Sequence, residues 1–236
     1  RRERLMTQTV LITGASRGIG LELARQYAAG GSCVIATCRN PGEATALLEI
    51  AAGASHLDIE PLDVTDPSQI DGLAARLEGR AIDVLINNAG VGSAGAGLGT
   101  LDYAAWRIVM DTNLYGPVKL AEALLPNLLA GQGRKVVAIS SSLGSIAGTR
   151  GGNYPYRTSK AALNMAMRSM AMDLRERGVI VALLSPGIVD TDFTRGARMP
   201  KIPVEDSVAG LIETIERLGP DDAGVFTRYN GETVDW

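Results

Sequence analysis

Histidine occurs once and cysteine twice in the 236 residues, and aromatic side chains make up only 4% of them. With His56 alone and no further ligands beside Cys33 or Cys38, no zinc-type or other metal centre is expected. The two cysteines stand five apart in a strand-like run, on opposite faces and about 16 Å apart at ~3.3 Å per residue, too far to bridge. Free thiols fit a reducing cytoplasm. There is no excess of basic charge: 23 Lys+Arg against 26 Asp+Glu give a net charge of -3, without the basic stripe that nucleic acid requires. No apolar run approaches the roughly 20 residues of a membrane span, so a soluble protein is expected. Repeats and low-complexity linkers are also missing. One domain is predicted over 9–236, preceded by an extension at 1–8.

What is present is a rhythm. Short apolar runs alternate with longer stretches of helical period: 10–13 then 18–29, 33–38 then 41–52, 56–62 then 66–77. The pattern continues with 84–87, two helical stretches at 101–109 and 113–129, 135–140, 156–177, 179–185, 204–217 and 225–227. This is a βαβ series. Runs such as Val84-Leu85-Ile86 lack in/out alternation, as expected of strands covered by helices on both faces. The predicted fold class is α/β, a doubly wound parallel sheet of Rossmann type in a single domain. The segments 90–99 and 191–203 are its long loops, predicted at the carboxyl edge where such sheets bind ligands.

The first apolar run ends in Thr13-Gly14-Ala15-Ser16-Arg17-Gly18-Ile19-Gly20 and passes directly into helical period. Glycines at these places let the backbone turn tightly and approach a pyrophosphate at a helix N-terminus. About twenty residues on, where an NAD-selective site carries an acid for the ribose, stands Cys38-Arg39-Asn40. Arg39 is planar and permanently charged, suited to a 2′-phosphate, and Arg17 inside the turn is placed to close on the same group. Two solvated arginines are the alternative. The spacing G-x-x-x-G-x-G resembles that of the short-chain dehydrogenase/reductase family. The resemblance implies NADP(H) held at Gly14, Ser16, Arg17, Gly18, Ile19, Gly20 and Arg39, with an adenine contact at Asp63 and Val64. Asp63 could otherwise cap the following helix.

Tyr156 and Lys160, in Tyr156-Arg157-Thr158-Ser159-Lys160, share one helix face about a turn apart. A phenol titrates near 10, and a nearby ammonium is expected to lower that value, so that the tyrosine can exchange a proton with a carbonyl or alcohol oxygen. The pair matches the family's Y-x-x-x-K. Upstream, Ser140-Ser141-Ser142 ends a strand, where one hydroxyl can hold the substrate oxygen without acting as a nucleophile. The family's S-S-x-x-G selects Ser141, with Ser142 next. Ser141 lies fifteen before Tyr156, where many members have thirteen, which implies a two-residue insertion around Gly151-Gly152-Asn153. Asn113 opens or interrupts a long helix. An amide there ordinarily caps, and the resemblance implies that it binds a water linking Lys160 to solvent.

Asn87-Asn88-Ala89-Gly90 resembles the family's N-N-A-G, with Asn87 expected to tie neighbouring strands and Asn88, Ala89 and Gly90 to lie along the cofactor's ribose. Pro186, Gly187, Ile188 and Thr191 resemble the segment under the nicotinamide, and Lys160 and Tyr156 would also touch the cofactor. The likeness runs in order from Thr13 to Thr191. The Gly144-Ser145-Ile146 run, the Thr37-to-Pro41 ending and the stretch from Asn230 to Trp236 look most like sniffer-type carbonyl reductases and C-factor-like proteins.

That subgroup implies NADPH-dependent reduction of an aldehyde or ketone, with Tyr156 as proton donor and a small carbonyl or alcohol compound as substrate; neither nucleic acid nor membrane is an expected partner. With so few aromatics the pocket is expected to be aliphatic, lined by Met199 and Ile202. The alternative function is a cofactor-binding signalling or sensor protein of the same fold, which would not need Asn113, Ser141, Tyr156 and Lys160 together. An epimerase or dehydratase would need more chain after Thr191. Helices 113–129 and 156–177 are expected to pair into a homodimer or tetramer through Met165, Met167, Met170 and Met172. Packing of these methionines within one chain is the alternative.

Overall fold

The strands β1 (Thr9–Thr13), β2 (Cys33–Cys38), β3 (Leu57–Pro61), β4 (Val84–Asn87), β5 (Lys135–Ile139), β6 (Ile180–Ser185) and β7 (Phe226–Arg228) pair in parallel, in the order β3-β2-β1-β4-β5-β6-β7. The computed structural model describes residues 8–92, 97–196 and 198–236. The expected extension, apart from Gln8, and part of the 90–99 loop lie outside these. Three helices, α1 (Gly18–Ala29), α2 (Thr45–Gly53) and α8 (Val204–Arg217), cover one face of the sheet, where Leu23, Leu47 and Leu211 pack on Val10, Ile12, Val34 and Ile86. The other face is covered by α3 (Pro67–Arg76), α5 (Gly116–Ala123), α6 (Leu125–Ala130) and α7 (Tyr154–Leu174). There Leu73, Leu120, Leu128 and Met167 meet Leu11, Ile35, Leu85 and Val136. Successive strand residues therefore enter different apolar cores, which is why the strands read as unbroken apolar runs.

Because β1 lies between β2 and β4, the chain leaves it in opposite directions, and a crevice opens where the carboxyl ends of β1 and β4 diverge. The helical stretch expected at 113–129 is three pieces. Between α4 (Tyr103–Met110) and α5 the chain makes a π-helical turn, Asp111–Tyr115. At Leu124 (φ −92°, ψ 6°) it breaks again, and Pro126, with no N–H to donate, stands in the first turn of α6. The stretch 41–52 divides likewise into a 3-10 turn, Pro41–Glu43, and α2. Asp66 caps α3 by accepting from the N–H groups of Ser68 and Gln69. Ahead of α7, Gly151, Gly152 and Asn153 are three consecutive left-handed residues (φ 78°, 68° and 48°); this is where the insertion was expected.

After β7 the chain folds back. Thr227 pairs with Thr233, Val234 donates to the Phe226 carbonyl at 2.8 Å, and Ala147 donates to the Trp236 carbonyl at 2.9 Å. Cys33 and Cys38 sit at the two ends of β2, and both are free. Met167 is fully buried and Met170 packs against the same core, while Met165 and Met172 are exposed. Among the described residues no helix is long and apolar enough to cross a membrane, and no group of three His, Cys, Asp or Glu could hold a metal.

Candidate active site

A cleft of about 1100 Å³ lies along the carboxyl edge, and every residue singled out above as catalytic or cofactor-binding lines it except Gly20 and Asn113. Its floor is the turn after β1. A Cβ on Gly14 would lie 2.9 Å from Ala89 Cα, and one on Gly20 would lie 2.3 Å from the Gly14 carbonyl oxygen and 2.5 Å from Asn88 Nδ2. Asn88 Nδ2 donates to the carbonyls of Thr13 (2.9 Å) and Gly14 (3.3 Å). Thr13 Oγ1 accepts from the N–H groups of Asn88 and Ala89, both at 3.0 Å. These bonds lace the ends of β1 and β4 together. Asn87, expected in that role, does not perform it: it is the last residue of β4, and its buried side-chain amide has no hydrogen-bond partner among the described residues.

The twelve-residue α1 starts on this floor with no side-chain cap and no acid in its first turn. Its first N–H groups are thus open to an anion. Arg17 and Arg39 are exposed on the cleft wall. Neither has a hydrogen-bonding or ion-pair partner among the described residues. An uncapped helix start, two unengaged guanidinium groups and a turn that excludes any Cβ fit a dinucleotide carrying an extra phosphate. Asp63 does not cap α3. Its Oδ1 accepts from the N–H and hydroxyl of Thr65 at 2.9 and 2.7 Å, and the residue lines the cleft.

At the other end Tyr156, in the first turn of α7, is 9% exposed, and Lys160 Nζ lies 5.8 Å from its ring centroid. Lys160 is 4% exposed and donates to the Ile139 carbonyl at 2.8 Å. The expected lowering of the phenol is not found. Burial pushes Tyr156 up to about 12 against an opposing hydrogen bond from Ser141, and burial pulls Lys160 down to about 8. Dehydration of both groups outweighs their proximity, so at neutral pH the phenol holds its proton.

The three serines separate cleanly. Ser141 neighbours Tyr156 and accepts from the N–H of Leu143 at 3.2 Å. Ser140 is buried and donates to Asn164 Oδ1 at 2.6 Å. Ser142 is exposed, and its N–H donates to Ser185 Oγ at 3.2 Å. Asn113 is fully buried inside the π-helical turn and caps nothing. Its Oδ1 accepts from the N–H of Val91 at 2.9 Å, and its Nδ2 donates to the Val91 carbonyl (2.9 Å) and to Ser159 Oγ (3.0 Å). Ser159 in turn donates to the Tyr156 carbonyl at 2.8 Å. The Asn113 side chain therefore pins the strand-four loop to α7, with both amide hydrogens engaged.

Beyond β6, Thr191 lies against the glycine turn, 3.5 Å from where a Cβ on Gly18 would sit. Met199 lines the cleft, but Ile202 does not. Its Cδ1 instead lies 2.5 Å from the Cβ position of Gly187, and its backbone pairs with Val189. Four contributors were not singled out from the sequence: Thr13, Ser159, Asn164 and Phe193. Thr13 was in view as the end of the first apolar run, but its bonds to Asn88 and Ala89 join residues 75 and 76 apart, and the other three likewise act through contacts that span tens of residues.

Fold and cleft together define a Rossmann-type nucleotide-binding protein with a buried tyrosine–lysine pair at the end of its binding groove. A family model described as short chain dehydrogenase matches residues 8–201, and the chain belongs to that family. It is 46% identical over 156 residues to the C-signal protein of Myxococcus xanthus, covering 66% of this chain and 93% of that one. It is 38% identical over 234 residues to 1-hydroxy-2-glutathionyl-2-methyl-3-butene dehydrogenase of Rhodococcus sp. (strain AD45), covering 97% and 99%. Among solved structures it is similar to the NADPH-bound carbonyl reductase from chicken fatty liver (35% identity, 98% of this chain and 100% of that one, TM-score 0.91). The carbonyl reductase Sniffer of D. melanogaster is similar to the same degree (34% identity, 98% and 100%, TM-score 0.91).

Proposed function

We propose that the protein is an NADP(H)-dependent oxidoreductase that reduces an aldehyde or ketone to its alcohol and runs the reverse reaction with the same groups. The observation that carries this reading is Tyr156, buried beside Lys160 and Ser141, at the end of a groove whose far wall offers two unengaged arginines. Likeness to carbonyl reductases along nearly the whole chain supports it. When bound, the nicotinamide supplies or accepts a hydride at the carbonyl carbon. Arg17 and Arg39 would grip the 2′-phosphate, and Asp63 and Val64 would meet the adenine.

Ser141 Oγ and Tyr156 Oη both hydrogen-bond the substrate oxygen and fix its distance from the phenol. As negative charge develops on that oxygen, Tyr156 gives up its proton. Lys160, with its ammonium close by, stabilises the phenolate left behind and returns a proton to it, and is itself reprotonated from solvent. Asn113 holds Val91 and Ser159, and so the helix turn on which Tyr156 stands. In oxidation the phenolate takes the alcohol's proton.

The similarity to a protein named C-signal supports a second reading, a cofactor-binding signalling protein of this fold with little turnover. The complete Ser141, Tyr156 and Lys160 set favours the enzyme. A cytoplasmic location and a homodimer or tetramer, with exposed Met165 and Met172 in the interface, belong to the same proposal, as does one catalytic domain over 9–236. The test is NADPH oxidation with a panel of aldehydes and ketones. Tyr156→Phe is expected to lower turnover by about 10²–10⁴-fold while NADPH fluorescence titration gives the wild-type affinity. No carbonyl turnover by the wild type, or full turnover by the variant, would refute the enzyme reading.

A further inference from the structure

We propose that Phe193 sets substrate selectivity: seated between Gly92 and Tyr156, its ring forms an apolar wall that favours flat, uncharged carbonyl compounds such as aryl aldehydes. This rests on the carbonyl-reductase reading above and adds to it a substrate class and the residue that selects it. Phe193 lies in the 3-10 turn Asp192–Thr194, and its ring centroid is 5.7 Å from that of Tyr156 at a tilt of 52°. Among the described residues no other ring packs on Tyr156. The far edge of the ring meets Gly92, where a Cβ would come within 3.1 Å of Phe193 Cζ. Gly92 has no left-handed φ, so what an added Cβ there would change is the room for the ring, which would have to give by a few tenths of an ångström.

The ring is held on a firm base. Asp190 N–H donates to the Ile202 carbonyl at 2.9 Å and Ile202 N–H to the Ile188 carbonyl at 2.8 Å. Lys201 pairs with Asp190 at 2.9 Å, and Thr191 and Thr194 cap the turn reciprocally. Yet Phe193 is 55% exposed and lines the cleft together with Leu143 and Met199, themselves partly in solvent. A fixed aromatic face beside the proton donor gains most from a flat π-system, which meets it edge-on or offset.

Charge points the same way. On this segment Asp190 is paired with Lys201 and Asp192 with Arg195, and Arg198 does not line the cleft. Lys160 donates to a backbone carbonyl. Arg157, next to Tyr156, reaches the Leu143 carbonyl and does not line the cleft, so among the described residues lining this end Lys160 is the one cation, and it is already bonded.

The experiment measures kcat/KM with NADPH for benzaldehyde, cyclohexanecarbaldehyde, 4-carboxybenzaldehyde and propanal in wild type, Phe193→Ala, Phe193→Leu and Gly92→Ala. NADPH titration establishes that each variant is folded. Relative to wild type, the preference for benzaldehyde over cyclohexanecarbaldehyde is expected to fall about fivefold in both Phe193 variants and to fall in Gly92→Ala, which pushes the ring aside. Benzaldehyde should lose more than propanal, which is too short to reach the ring, and wild type should use 4-carboxybenzaldehyde about tenfold less well than benzaldehyde. An unchanged preference, equal losses for all four aldehydes, or good use of the carboxylate overturns the proposal while leaving the reductase reading intact. Failure of the wild type to reduce any aldehyde overturns both.

Discussion

Replacing Gly20 by alanine should damage the protein although the residue lies inside a helix, where alanine is intrinsically favoured by about 1 kcal/mol. The new methyl carbon would stand 2.3 Å from the Gly14 carbonyl oxygen and 2.5 Å from Asn88 Nδ2, roughly 1 Å inside ordinary contact. Neither neighbour is the free end of a flexible chain: the carbonyl belongs to the turn and the amide is bonded to it. Overpacking of this kind costs about 1–3 kcal/mol. Displacing the amide also puts at risk its bonds to Thr13 and Gly14, about 1 kcal/mol each. Less the propensity gain, Gly20→Ala should lose about 2–4 kcal/mol in urea unfolding without cofactor. NADPH Kd should rise more than about tenfold, since the displaced carbonyl is part of the turn that meets the pyrophosphate. Gly53→Ala is the control, at the end of α2 with open space around its Cβ position; it should be neutral or gain up to about 1 kcal/mol. Equal unfolding midpoints for the two variants would refute the steric account.

Arg39→Ala is expected to weaken NADPH by about 10–100-fold, the worth of one charged hydrogen-bonding contact, with little change for NADH; equal losses for both nucleotides would remove the 2′-phosphate assignment. Ser141→Ala should lower kcat by about 10–100-fold with little loss of stability, whereas Ser140→Ala, which strips Asn164 of a buried donor, should cost about 1–3 kcal/mol in unfolding. The pattern reversed would transfer the catalytic role to Ser140. For Lys160 the folded pKa of about 8 lies below the ordinary 10.5, so above pH 8 the unfolded chain holds the extra proton and stability rises with pH. Compared with Lys160→Met, wild type should gain about 2 kcal/mol from pH 8 to about 10. Above that Tyr156, raised to about 12, acts in the opposite sense, because the unfolded phenol ionises first. A flat difference across that range would contradict burial of Lys160.

The sheet and its order were legible because the evidence is local: glycines between a strand and a helix, and apolar runs without alternation. The α6 break was marked by Pro126, whereas the π-helical turn at Asp111–Tyr115 has no compositional signature, since one extra residue per turn alters hydrogen bonding and not residue type. Within the site, spacing found Tyr156 and Lys160 but not the direction of their titration. That depends on how much water the surrounding helices remove, and a four-residue interval does not contain it. Asn87 and Asn88 are chemically alike, and only the strand's pleat decides which one faces the turn. Phe193 meets a glycine about a hundred residues earlier, and Ile202 turns to Gly187; both depend on the path of an irregular loop.

The central place of β1 has a consequence for biosynthesis. A parallel strand cannot pair with its neighbour until the intervening crossover has been made, and the second flank of β1 is filled only by β4. The Thr9 N–H that bonds the Asp83 carboxylate waits for a residue 74 positions on. At roughly 5–20 residues per second, a ribosome takes about 4–15 s to supply it. Throughout that interval Val10, Leu11 and Ile12, all fully buried once the sheet is complete, present an unpaired apolar edge. One flank of β1 is therefore open to any hydrophobic partner from its emergence to that of β4, before Ser141, Tyr156 and Lys160 have been made.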